Sequence, residues 1–291
     1  MSGAPSAAPF RAGAAQRATF LVAVVYAVYA AAQLDFSYER FQVGLDNGAR
    51  FIARMLPPDF TRWDVLLKGI VESLQIAVLA SALGIGLALP IGVLGARNLM
   101  PGWVTWPVRG FVSLCRTLHP VIVAILFVKA VGFGALAGIL ALAVASIGFI
   151  GKLFTEAIEE ISMKQIEAVR ATGASFMNVI GFGVLPQVLA RFVGFSTYQL
   201  DSNLRNSTMV GIVGAGGVGG TLFSAFQRFD YDFVLAILMT IIAIIMFGEF
   251  LANFVRAVFV DGRGLGDFFG GHDVRGEHRA SVVRRPAEGE L

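Results

Sequence analysis

The chain has 291 residues, of which 56% are hydrophobic and 15% charged, with a formal net charge of +3. A soluble domain carries about 25% charged residues, so these charges cannot cover a water-exposed surface and most of the exterior must face lipid. Cys115 is the single cysteine, which excludes a disulfide framework and a cysteine-based metal site; so small a net charge says little about partners, and no nucleic-acid partner is expected. In chain order, residues 1–17 are rich in Ala, Gly, Pro and Ser and read as a disordered tail. Arg11 and Arg17 then precede an apolar run, a pattern shared by a retained anchor and a signal peptide. The membrane character of the rest favours the anchor. A span needs roughly 17 to 25 predominantly apolar residues. Six stretches qualify: 18–34, 69–95, 104–131, 134–154, 184–203 and 233–259. All are expected to be helices, because a backbone in lipid must satisfy its own hydrogen bonds. Pro90 and Pro120 fall inside spans and are expected to kink them. Residues 35–68, polar and carrying Pro57-Pro58, connect the first two spans as an external loop. The fold class is therefore all-α, a polytopic membrane protein with about six transmembrane helices.

Lys and Arg placement sets the orientation. With both termini cytoplasmic, Arg11, Arg17, Arg97, Lys152, Lys164, Arg170 and Arg256 lie inside. The long first loop is then outside with five basic residues, against the rule, but its length makes it a weak voter. Residues 261–291 form a basic cytoplasmic tail, with Arg275, Arg279, Arg284 and Arg285 suited to anionic lipid. Small residues such as Ala80, Gly84 and Ala88, and Ala137, Gly138 and Ala141, favour close packing of the second and fourth spans.

Between the fourth and fifth spans lies a polar segment with helical spacing, residues 155–183. Ser162 is an expected N-cap, with Gln165 completing a capping box. A short helix there carries Glu167 and Arg170 on one side, and Gly173 permits a sharp exit. Such a helix at a membrane surface suits docking of a soluble partner.

Gly214, Gly216, Gly217 and their neighbours contain the Gly-x-Gly-x-x-Gly pattern. A dinucleotide fold would need a βαβ unit around it, whereas membrane spans flank it on both sides. A flexible or re-entrant external loop is the expected structure. Without a Gly-Lys-Ser/Thr phosphate loop, the chain is not expected to hydrolyse ATP. No catalytic motif and no metal site stand out.

Charges inside spans are costly and usually face a pathway or partner. Arg116 and His119 lie in the third span, Arg116 roughly 18 Å deep at 1.5 Å per residue. Asp201, Asn203, Arg205, Ser207 and Thr208 lie on or after the fifth. Arg116 and Arg205 are candidates to line an anion route. Structural alternatives are a pairing or carbonyl-capping role for Arg116 and an Asp201–Arg205 pair four residues apart.

Glu167, Ala168, Gly173, Leu185 and Pro186 fall at the spacing of the motif by which permease subunits of bacterial ABC importers engage their ATPases. Val169 replaces the motif's second Ala, and Gly183 its Ile. Residues 113–120, 148–159 and 203–217 extend the resemblance, so that about 69–260 is similar to importer permeases with the methionine-type (type I) core, and most to the phosphonate and phosphite branch. The resemblance implies a bacterial inner-membrane permease for a phosphonate or related phosphorus oxyanion. It implies ATPase-coupling residues Glu167, Ala168, Arg170, Gly173, Leu185 and Pro186. It also implies a path or gate built from Arg116, His119, Asp201, Asn203, Arg205, Ser207, Thr208, Gly214, Gly216 and Gly217. The partners it implies are a cytoplasmic ABC ATPase dimer holding ATP and Mg, a second permease copy or close relative, and a periplasmic solute-binding protein. Methionine or glycine betaine as substrate stays open, as does a stand-alone secondary transporter or membrane enzyme.

Overall fold

The computed structural model describes residues 13–33 and 37–259, which fall into two units divided after Leu56. The basic tail, with His272 and His278, and most of the amino-terminal tail lie outside the described residues. In the first unit, α1 (Ala14–Gln33) begins within the expected tail, ahead of the expected span start at Ala18. Arg17 is the one charge on its 20 residues, so it is apolar enough to cross a bilayer. Residues 35–68 do more than connect, because they contain α2 (Tyr38–Met55). Phe41, Leu45 and Ile52 recur there at helical spacing among Glu39, Arg40, Asp46, Arg50 and Arg54. That pattern gives an amphipathic helix too charged to look like a span. The Ser37 hydroxyl accepts the Arg40 N–H at 3.1 Å and caps it.

The second unit holds α3 (Trp63–Gly95), α4 (Gly102–Thr117), α5 (Pro120–Val131), α6 (Ala135–Glu159), α7 (Met163–Ala171) and α8 (Phe176–Asn178). A π-helix, Val179–Val184, leads into α9 (Leu185–Ile212), followed by α10 (Gly217–Gln227) and α11 (Tyr231–Phe259). There is no strand among the described residues. By length and composition five segments can cross a membrane, and α4 with α5 makes a sixth if the bent pair is one span.

α3 and α6 form the most extensive helix pair. Small residues allow it. A side chain at Gly84 would put its Cβ 2.4 Å from the Ser146 Cβ and 2.9 Å from the Ala143 carbonyl oxygen. Ala80 and Ala88 on α3, and Ala137 and Ala141 on α6, are fully buried. With little hydrophobic drive between helices in lipid, such close contact is what holds them.

Among the described residues of this unit, two apolar clusters stand out. One gathers Ile76, Ala80, Val123, Ala124, Leu142 and Val210. The other gathers Phe154, Ile158, Ile166, Val179, Val184 and Val188. Between them along α3, α6 and α9 sits a polar layer of Ser81, Ser146, Gln199 and Asn203. Its members are 4% exposed or less.

The two prolines behave differently from one another. α3 continues through Pro90. At Pro120 the third span breaks outright, with α4 and α5 meeting at 94°. His119 makes the break: its ring Nδ1 accepts the Val121 N–H at 3.3 Å and Pro120 takes the first helical position, so a new helix starts there.

Candidate functional site

Ile166, fully buried, roots the nine-residue helix α7 in the cluster of Phe154, Ile158, Val179 and Val184. Glu167, Ala168 and Arg170 are exposed on its other faces. Gly173 ends the helix at φ +76°, a conformation open to glycine, and its N–H donates to the Arg170 carbonyl at 3.0 Å. The expected capping box is not made. Ser162 is the N-cap residue, but its side chain makes no cap bond. Its N–H donates instead to Gln187 Oε1 at 3.1 Å, which removes the need for Gln165.

The departure at Gly183 has a local reason. A Cβ there would lie 3.6 Å from Ile166 Cα, so a large side chain would press on the root of α7. Leu185 and Pro186 are exposed. Pro186 sits in the first turn of α9, where a missing N–H costs nothing.

At the opposite end of α9 the glycine run is a packed turn and not the flexible alternative of the expected loop, and α10 turns back against α9 from it. Gly214, Gly216 and Gly217 have φ of +94°, +82° and +74°. Gly214 O accepts the Gly134 N–H at 3.0 Å, and Ser73 Oγ accepts the Val218 N–H at 2.9 Å. A Cβ on Gly217 would strike Ser73 Oγ at 2.4 Å, and one on Gly216 would lie 2.6 Å from a Glu72 carboxylate oxygen. The glycines are set by close approach, and α10 starts directly from them.

This turn borders a cavity of about 1000 Å³ lined by Arg62, Glu72, Phe133, Arg228 and Asp230 among others. Arg62 clasps its rim, 2.7 Å from Asp230, 3.4 Å from Asp59 and 3.9 Å over the Phe233 ring. The hydrogen bond from Arg62 to Asp230 raises the guanidinium pKa, and the Thr61 hydroxyl holds the Asp59 carboxyl below its usual value. Glu72 is half-buried on α3 with no hydrogen bond or ion pair among the described residues. A carboxylate inside the apolar run 69–95 is the sequence signal that marks it.

The expected path residues do not converge on one place. Arg116 lies in the last turn of α4, exposed and without an ion pair or hydrogen bond among the described residues. It lines a cavity of about 500 Å³ with Ser113, Thr117, Lys152 and Glu156. Lys152 and Glu156 are 3.4 Å apart. Arg109 borders the same cavity but is occupied, donating to Gly95 O at 2.8 Å and Glu159 at 2.5 Å. His119 caps α5 and is exposed.

Arg205 is held between Asp201 at 2.5 Å and Glu249 at 2.6 Å, which ties α9 to α11. Two carboxylates offset its charge. Asn203 and Ser207 are fully buried, so within this chain they face packed helices and no open surface. Asn203 donates to Ser81 and Ser146 at 2.9 and 2.8 Å, and Ser207 donates to Leu204 O. Thr208 backs onto α10, where its carbonyl oxygen would lie 1.9 Å from a Cβ on Gly219.

Residues 88–261 match the model of a family described as binding-protein-dependent transport system inner membrane component. Over 206 residues the chain is 41% identical to the phosphate-import permease protein PhnE of Mycolicibacterium smegmatis, covering 70% of this chain but only 39% of that protein. It is 36% identical over 217 residues to the phosphite transport system permease protein PtxC of Stutzerimonas stutzeri, covering 74% of this chain and 79% of that one. Among solved structures, an inward-facing MetNI methionine ABC transporter chain is similar at TM-score 0.61 and 25% identity, over 69% of this chain and 99% of that chain.

Proposed function

The chain belongs to the family of binding-protein-dependent transport system inner membrane components, and from that premise we propose that it passes a phosphorus oxyanion through an ATP-driven importer. Phosphonate, phosphite and phosphate or a phosphate ester are the substrates in view. The observation that carries the importer mechanism is α7, buried through Ile166 while Glu167, Ala168 and Arg170 stand exposed. A short helix rooted on one side and charged on the other is built to be pushed. The substrate class is supported by the phosphate and phosphite permeases that match most of the same stretch.

In this reading α7 faces the cytoplasm and docks on an ATPase dimer, which holds ATP and Mg²⁺. The cavity beside Gly214 faces the periplasm and the solute-binding protein. A second copy of the chain, or a close relative, completes the path. Arg116 and Lys152 supply cations on the route, while Arg205 serves the α9–α11 clamp. ATP is hydrolysed in the partner subunit.

The test is uptake into vesicles carrying the permease with its ATPase, loaded with ATP and supplied with the solute-binding protein. Labelled phosphite, methylphosphonate and phosphate are compared with methionine and glycine betaine. Uptake of a phosphorus anion alone is the expected result. Uptake of methionine or betaine alone overturns the substrate class, and uptake without ATP overturns the importer mechanism.

A further inference from the structure

We propose that Gln187 is the positioning residue that locks the docking helix α7 to the membrane helix α9, so that a push on α7 moves α9; the inference rests on reading α7 as the ATPase-docking element. α7 has nine residues, too few to hold a helix in water by itself. Something must fix its leading end. The usual device, an N-cap side chain, is unused, because Ser162 makes no cap bond. The Ser162 N–H reaches Gln187 Oε1 at 3.1 Å instead.

The other end of the same carboxamide is committed too. Gln187 Nε2 donates to the Gly183 carbonyl at 2.6 Å. Gly183 lies in the π-helix, Val179–Val184, that joins the docking segment to α9. A π-helix interrupts the regular helical bonding ladder and is found disproportionately at functional sites. One side chain from the first turn of α9 therefore bonds both the N-cap residue of α7 and the irregular joint. Among the described residues no other side-chain hydrogen bond joins α7 or its cap to α9.

A neighbouring tie shows the difference. Arg191 meets Glu160 at 2.5 Å and joins the end of α6 to α9, with both side chains more than half exposed. It does not touch α7, and exposed ion pairs contribute little. Force entering at Glu167 or Arg170 has two routes into the bundle, the Ile166 packing and the Gln187 amide. The packing resists separation of α7 from the bundle but is not directional. The amide fixes the direction in which α7 points.

The experiment uses the permease assembled with its ATPase and binding protein in vesicles. Phosphite uptake per ATP hydrolysed is measured, together with amide hydrogen exchange across residues 161–171. Gln187→Met keeps the length and loses both bonds. It should lower uptake per ATP about fivefold, the population ratio expected for one lost hydrogen bond of ordinary strength, and speed exchange in α7. Gln187→Glu keeps an acceptor for Ser162 but sets a carboxylate oxygen against the Gly183 carbonyl, so it should lie between the parent and Gln187→Met. Ser162→Pro removes the N–H, at a φ of −73° that proline tolerates. It should reproduce Gln187→Met, and the two changes together should do no more than either. Arg191→Met should leave both measurements at parent values. Parent uptake per ATP and parent α7 exchange in Gln187→Met and Ser162→Pro would overturn the proposal, as would Arg191→Met reproducing Gln187→Met. Parent vesicles that import no phosphorus anion would count against the substrate, and the exchange measurement, which needs none, would still decide the latch.

Discussion

The Asn203 carboxamide donates to the Ser146 hydroxyl at 2.8 Å, binding α9 to α6 in the middle of the bundle. Ser146 Oγ also accepts from Gln199 at 2.9 Å and donates to Leu142 O at 2.7 Å. Its hydrogen-bonding capacity is full. Asn203→Leu strips this layer of its centre, leaves Ser81 without its partner and leaves Gln199 with Ser146 alone. An unsatisfied buried group costs about 1–3 kcal/mol, while single interhelical bonds in membranes average about 0.6. Asn203→Leu should therefore destabilise the purified permease by about 2 kcal/mol in detergent melting, and Ser81→Ala by less than half of that. Equal losses would mean that the layer does not act as a unit.

Gly84 and Gly86 differ by two positions and should respond in opposite ways. A Cβ at Gly84 meets Ser146 and the α6 backbone, whereas one at Gly86 meets nothing within 4 Å. Gly84→Ala should push α3 off α6 at a cost of about 1–3 kcal/mol. Gly86→Ala should be neutral or mildly stabilising, because alanine favours the helix. Melting of the two variants side by side checks this.

The spans were legible because about 20 apolar residues in a row have few other uses. The type of α7 was legible too, from Ser162, its helical spacing and Gly173. Its cap was not, since Gln187 lies 25 residues further along the chain. α2 escaped notice because its charges disguise a regular apolar stripe. Pro120 announced a kink, but a 94° break also needed His119 to cap a new helix. Asn203 illustrates the harder limit. A polar residue in a span faces either a path or a helix partner, and spacing alone does not say which. Gln199, Asn203 and Ser207 stand four apart on one stripe of α9, and it is the burial of that stripe in the structure that assigns them to a helix partner. The Asp201–Arg205 pair was readable from its spacing, whereas Glu249 on α11 was not.

Glu167 is exposed and its carboxylate makes no ion pair among the described residues, so its loss should not harm the fold. A charge-assisted bond to a basic residue of the ATPase is its natural use. Glu167→Ala should insert and melt like the parent while uptake per ATP, or recovery of the complex, falls about tenfold, the loss expected for a hydrogen bond to a charged group. Co-purification with the ATPase and vesicle uptake would measure both. Normal uptake with normal stimulated hydrolysis would remove Glu167 from the docking surface.

Arg116 offers the sharpest separation between a path residue and a structural one. Its guanidinium has no ion pair among the described residues, although Lys152 and Glu156 line the same cavity. Removing the charge therefore strands no buried acid, and the fold should not suffer. Arg116→Gln should leave melting, assembly and basal ATP hydrolysis unchanged while phosphite uptake falls about tenfold. Arg116→Lys keeps a positive charge but loses the two-pronged geometry that suits an oxyanion, so its uptake should lie between the two. An assembled Arg116→Gln complex importing at the parent rate would take Arg116 off the path. Arg205 could not then replace it while Asp201 and Glu249 occupy its guanidinium. Lys152, whose bond to Glu156 is long at 3.4 Å, would be the next cation to neutralise.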